Sequence, residues 1–268
     1  MKKNVLVIIF LAHFISSIGQ NKKYIETENV IFQSNENVHL FGDNVKLRAN
    51  PSSTSEVLEI LKINSKVTVL SEEDNTYNYN GISWKWYKVK YKNKTGYIIG
   101  GLLGLDQKTI GNSAYVISLK QQGESKKLLI RLVNKNTLEY SETSFDLFNN
   151  ETFSIEAFSN KGLSTIKDVF LVDFVAEACG VDGGGCYFFN DGLELKKAIR
   201  FSRVADADAY WRYEKVIFPE DKGGVQGKLV FESEEGEMIN EENNHMKIIS
   251  ETIQFVWKGE FLEIKSDK

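Results

Sequence analysis

The chain has 268 residues, with 33 Lys and Arg against 37 Asp and Glu, 12% aromatic residues and only two prolines. That length holds one large domain or two smaller ones, and the ordinary charge and low proline content exclude long disordered linkers. A net charge of −4 and the lack of an Arg-rich helix weigh against nucleic acid as a partner.

At the start, Lys2 and Lys3 precede an apolar run from Val5 to Ile15, broken only by His13, with small residues following at Ser17 and Gly19. That order is the pattern of a secretory signal peptide, with cleavage expected before Gln20. The run is shorter than the roughly 20 residues that cross a bilayer, and no Cys follows it to carry a lipid. Residues 1–19 are thus expected to be removed. The mature chain is expected to be exported, to the periplasm or outside the cell, and not to span a membrane.

Residues 37–105 read as short strands punctuated by polar turns. The expected strands are Val45 to Arg48, Val57 to Leu61, Lys66 to Leu70, Ser83 to Tyr91 and Tyr97 to Ile99. Asn50-Pro51-Ser52-Ser53 breaks the first, Asn93-Lys94-Thr95-Gly96 turns into the last, and Ser71 to Gly81 is a long polar excursion. Even spacing of short strands argues for a small barrel or sandwich. This segment holds nine Lys and Arg against six Asp and Glu, whereas residues 106–268 hold twenty against twenty-eight. The basic excess is either ordinary surface variation or a surface for an anionic partner.

Three motifs in this segment carry a resemblance. Leu47-Arg48-Ala49-Asn50-Pro51-Ser52, then Trp86-Tyr87-Lys88-Val89, then Gly96-Tyr97-Ile98 follow the order found in bacterial SH3 domains. The segment resembles that family, with Leu47 for the usual Val, Asn64-Ser65 for a Gly turn, and Gly100-Gly101 for a closing Ser and aromatic. The resemblance implies an SH3-like barrel that binds, with peptidoglycan or an envelope protein as the expected partner.

Alternation on the fourth strand separates its two faces. Tyr87, Val89 and Tyr91 are expected in the barrel interior, with Trp84, Trp86, Lys88 and Lys90 on the other face. Trp84, Trp86, Lys88 and Tyr97, joined by Tyr77 and Tyr79 if the excursion folds over, are the candidate ligand-binding residues. The alternative is that Trp86 caps the barrel and Trp84 meets the second domain.

Residues 110–268 read as one larger antiparallel β domain, a sandwich, barrel or meander, which makes the whole chain all-β. Expected strands are Ser113 to Lys120, Lys127 to Val133, Thr152 to Phe158, Val169 to Ala176, Cys186 to Phe189, Leu193 to Phe201, Tyr210 to Phe218, Val225 to Glu232 and Ile248 through Ile264. Glu177 through Pro219 also resembles domains that follow bacterial SH3 modules in exported proteins. Cys179 and Cys186 flank a Gly-rich loop, and in an exported chain such a pair is expected to form a disulfide that staples a hairpin. Glu177, Asp182, Asp191, Asp206 and Asp208 invite a calcium site, but they lack the Gly and terminal Glu of a calcium loop and read as a solvated turn surface. No metal and no cofactor are expected.

The sequence holds no Gly-x-Ser-x-Gly, no His-Glu-x-x-His and no phosphate loop. Outside the signal only His39 and His245 remain. Two functions are carried forward. One is a non-catalytic exported binding protein that recognises cell-wall peptide, glycan or a protein partner. The other is a cell-wall or glycan hydrolase with a carboxylate pair in residues 110–268, for example Glu177 with Asp206.

Overall fold

The structure, a computed structural model, describes residues 22–147, 152–207, 209–240 and 245–265. The expected signal peptide and Asp208 lie outside the described residues. The fold is all-β.

A two-residue strand, β1 (Ile25–Glu26), opens the chain and is followed by a six-stranded sheet. Its members are β2 (Asn37–His39), β3 (Val45–Arg48), β4 (Val57–Leu61), β5 (Lys66–Tyr79), β6 (Ile82–Tyr91) and β7 (Lys94–Ile99), in the order β2-β5-β6-β7-β3-β4. The sheet curls around Val45, Leu47, Leu61, Val67, Val69, Tyr87, Val89 and Ile98, all buried. Tyr87 and Val89 thus lie inside, as alternation requires, and Tyr91 packs half-buried against the same core. Phe32, from the segment before β2, meets the Tyr87 ring edge-on at 5.1 Å.

The polar excursion from Ser71 is not a loop. Most of it extends β5, which turns back into β6 through Asn80-Gly81, with φ of 54° and 77°. Positive φ at both central residues is the geometry of a tight two-residue hairpin, which Asn-Gly adopts with little strain. The arm is polar because its middle faces solvent, residues 74–78 all being exposed, while at its tip Asn80 O accepts Gln121 N at 2.9 Å.

His39 on β2 is half-buried. Burial, with Lys66 paired across the ladder, holds its imidazole below the ordinary value of 6.5. The folded state then binds fewer protons than the unfolded chain near pH 6.5. Stability is therefore full above that value and falls as pH drops through it towards the folded-state pKa. Thermal midpoints taken between about pH 8 and about pH 5 are expected to fall less steeply in His39→Gln than in the parent chain. Identical slopes would assign the acid sensitivity to carboxylates instead.

Two sheets follow. β8 (Gln107–Ile110), β9 (Ser113–Gln122), β10 (Ser125–Asn134) and β11 (Tyr140–Asp146) form one, in the order β11-β10-β9-β8. β12 (Thr152–Ser159), β13 (Asp168–Phe174), β14 (Gly184–Asn190) and β15 (Leu195–Phe201) form the other, with β1 on the edge beside β12. Tyr115 stacks on Phe170 at 4.7 Å, and Phe145 meets Phe188 edge-on at 5.1 Å. These contacts make the pair a sandwich. The opposite face of the first sheet, with Ala114, Val116, Leu129 and Val133, packs on Phe41 and Ile63 of the barrel. The opposite face of the second, with Val169 and Phe189, packs on Phe218, Leu229 and Trp257 of a final meander.

That meander runs β16 (Arg203–Asp206), β17 (Tyr210–Ile217), β18 (Leu229–Asn240), β19 (His245–Trp257) and β20 (Leu262–Ile264), each paired with the next. The chain is thus layered: barrel, sheet, sheet, meander. Strands in the middle layers are covered on both faces, so residues 113–119 of β9 are all buried and their alternation is lost.

The expected disulfide is not formed: both cysteines are free thiols, Cys179 exposed and Cys186 buried. The register explains why. Phe174 pairs with Gly184 where the strands part, so Cys186 lies inside β14 opposite Val172, in the apolar core. Cys179 sits out in the connecting loop, whose next residue donates its N–H to Ala205 O at 2.9 Å. Burial pushes the Cys186 thiol up to about 12, which keeps it protonated.

The acidic residues near that loop are placed just as plainly. Asp182 accepts from Ser202 Oγ at 2.6 Å and Arg203 N at 3.1 Å, and pairs with Arg200. Glu177 and Asp206 are both exposed.

Candidate ligand-binding pocket of the barrel

The register of the barrel sets Trp86 opposite Ile99, Lys88 opposite Tyr97 and Tyr77 opposite Trp84. Directly opposed residues share a sheet face, so these side chains lie on one face. They do not form one site.

Trp84 is 5% exposed and belongs to the core that the barrel shares with the sandwich. Its indole lies against the 3-10 turn at Gly100–Leu102 and donates its Nε1–H to Tyr79 O at 3.2 Å. A methyl group at Gly101 would stand 2.6 Å from that nitrogen, and one at Gly100 would stand 3.1 Å from the indole. The absence of side chains at Gly100 and Gly101 is therefore what lets the ring close over the turn. Trp84 is thus buried against that turn and does not line the pocket that Trp86 faces.

Trp86, Tyr77 and Tyr79 line an open pocket of about 230 Å³. Tyr77 is 44% exposed and meets Trp86 edge-on at 6.4 Å. Trp86 itself is 4% exposed, so it forms a wall packed from behind. Burial raises the Tyr79 phenol above its ordinary range, which keeps it neutral. Lys88 and Tyr97 are half-buried one step further along the face, beside Arg48, and do not line the pocket.

Asp43, Lys46 and Arg48 complete the pocket with Ile99 and Leu102, and the sequence reading did not select them. Asp43 Oδ1 accepts Ile63 N at 3.1 Å, which ties the start of β3 to the β4–β5 turn. Arg48 Nη1 donates to Ser55 O at 2.6 Å, bracing the turn that Asn50-Pro51 begins. One signal for them was available: the Leu47-Arg48 motif names the strand, and its charged residues face away from Val45 and Leu47, both buried. The lining offers aromatic faces, one carboxylate and two cations, with no His and no Cys. Its chemistry is suited to recognition of a small polar or zwitterionic group through stacking and paired charges.

A second constellation braces the arm. Glu72 accepts from Tyr87 Oη at 2.9 Å and pairs with Lys85. The hydrogen bond from Lys85 and that from Tyr87 hold the Glu72 carboxyl below its usual range, while burial pushes the Tyr87 phenol far up.

Residues 43–104 match the family model of the bacterial SH3 domain. No curated protein and no solved structure matches the chain. Among the described residues, no helix is long and apolar enough to cross a membrane.

Proposed function

We propose that the bacterial SH3 domain at residues 43–104 makes this chain an exported, non-catalytic binding protein that recognises cell-wall peptide or glycan. The observation that carries the reading is the open pocket on the barrel. There Tyr77 and Trp86 stand beside Asp43, Lys46 and Arg48. The basic excess of this segment suits an anionic polymer. An envelope protein that presents the same chemistry is the other outcome.

The test is co-sedimentation of the full chain with purified peptidoglycan. Tyr77→Ala removes an exposed ring and is expected to weaken retention by about tenfold without loss of the fold. Trp86→Ala is expected to weaken it further. Retention equal to that of the parent chain in both variants would overturn the pocket assignment. Falling turbidity of the wall suspension would overturn the non-catalytic reading.

A further inference from the structure

The final meander carries an uncovered strand edge. Residues 247–252 of β19 are all exposed, among them the neighbours Ile248 and Ile249, 59% and 52% exposed. Successive side chains take opposite faces, so both faces of β19 meet solvent here.

One edge of this strand pairs with β18, in an unbroken register from Met246 to Phe255. The other edge is covered only near its end. There β20 pairs with Phe255, Val256 and Trp257, and Lys265 N donates to Gln254 O at 2.9 Å. Gln254 thus turns its backbone groups outward, and by the pleat Ile248, Ser250 and Thr252 do the same. Among the described residues, no backbone group bonds to these three from outside. Folded proteins blunt such edges with proline, bulges or repeated charge. Residues 246–252 hold no proline and only one Lys and one Glu.

The edge is complementary to itself. Its free stretch runs from His245, where β19 begins, to Ile253, just before the first bond to the β20 side, and its midpoint is Ile249. Antiparallel pairing of two copies about that midpoint sets Ile249 on Ile249, Lys247 on Glu251 and Glu251 on Lys247, all on one face. Ile248 and Ser250 then exchange ladder bonds across the seam. Sliding one copy by one or two residues sets Lys247 against Ser250, Thr252, Ile249 or Ile253 instead. The register that uses the whole free edge is therefore the one that pairs the charges.

We infer that this edge pairs with a second copy of the chain, β19 to β19 about a two-fold axis at Ile249, to form one continuous sheet. An isologous contact of this kind closes at two copies. The strands run oppositely, so the two sandwiches, each packed near Trp257, lie at opposite ends of the shared ladder. A contact of one strand per copy falls at the small end of specific interfaces, below about 1,200 Å², where association is weak.

Sedimentation velocity of the full chain from about 1 μM to about 300 μM is expected to show a monomer–dimer equilibrium in the micromolar range. Glu251→Lys sets Lys against Lys on both sides of the axis, and Lys247→Glu sets Glu against Glu. Each variant alone is expected to dimerise about tenfold more weakly than the parent chain. Mixed in equal amounts, the two variants regain both opposite-charge pairs, and a heterodimer of about the parent affinity is expected. A parent chain that stays monomeric would overturn the inference and leave the edge to an extended segment of another protein. Dimers that Glu251→Lys leaves intact, or a mixture no tighter than the separate variants, would overturn it as well. Growth beyond two copies would overturn the closed pair.

Discussion

Replacing Trp84 with Ala is expected to destabilise the protein by about 3–5 kcal/mol, the range for truncating a buried aromatic whose site cannot collapse. The indole is 5% exposed and fills the seam between the β5–β6 arm and the turn at Gly100–Leu102. Leu119 of β9 borders the same space from the sandwich side. Collapse is obstructed because the residues facing the ring at the turn, Gly100 and Gly101, have no side chains to move inward. The hydrogen bond to Tyr79 O is lost as well. Because Trp84, Leu103, Leu119 and Phe170 share one apolar core, the barrel and the sandwich are expected to unfold together. Urea unfolding of Trp84→Ala, followed by far-UV circular dichroism, measures both effects. A loss below about 1 kcal/mol would show that the seam repacks. A separate early transition in the parent chain would show that the barrel is stable by itself.

The behaviour of Trp84 marks where sequence reasoning reaches its limit. Alternation on β6 correctly separated Tyr87 and Val89 from Trp84 and Trp86, because the pleat alone decides which face a residue takes. Nothing in that period says what covers the outer face. The turn at Gly100–Leu102 and the sandwich cover it at Trp84, while two residues later Trp86 fronts a pocket. The same limit hid the extension of β5: Glu73, Asp74 and Asn75 read as a loop, yet a solvated hairpin arm has no need of apolar residues. Asn80-Gly81 was the readable sign of it. In the middle layers, burial on both faces erased the alternation from which strand faces could be read, although the apolar runs still marked the strands. The short strands β8 and β16, which each pair with a neighbour along one edge, carry too few apolar residues to stand out. Cys179 and Cys186 are close in the chain. Their separation follows from the register Phe174 to Gly184, a long-range property that spacing does not encode. The aromatic part of the barrel pocket was legible for the complementary reason. Tyr77, Tyr79 and Trp86 sit on paired strands of one hairpin, whereas Asp43 and Arg48 arrive from β3 and the turn before it, more than thirty residues earlier in the chain than Trp86.

Asp168→Ala is expected to cost about 3 kcal/mol, because three buried donors converge on one carboxylate oxygen and would lose their common acceptor together. Asn190 Nδ2 also reaches Ser113 Oγ at 3.3 Å and Tyr115 Oη at 3.2 Å, so part of the network would close on itself and hold the loss at that level. Asp168→Asn keeps the shape and an acceptor oxygen but puts an amide N–H₂ where no acceptor waits, and is expected to cost about 1–2 kcal/mol. Tyr115→Phe removes one donor without orphaning the carboxylate and is expected to cost about 1 kcal/mol. Burial, then the Asp168 charge, pushes the Tyr115 phenol far above its ordinary range, so it donates at every pH at which the fold persists. Urea unfolding at neutral pH ranks the three variants. The order Asp168→Ala, Asp168→Asn, Tyr115→Phe separates a carboxylate that organises its donors from one that merely sits among them. Equal losses in all three would reject the organising role.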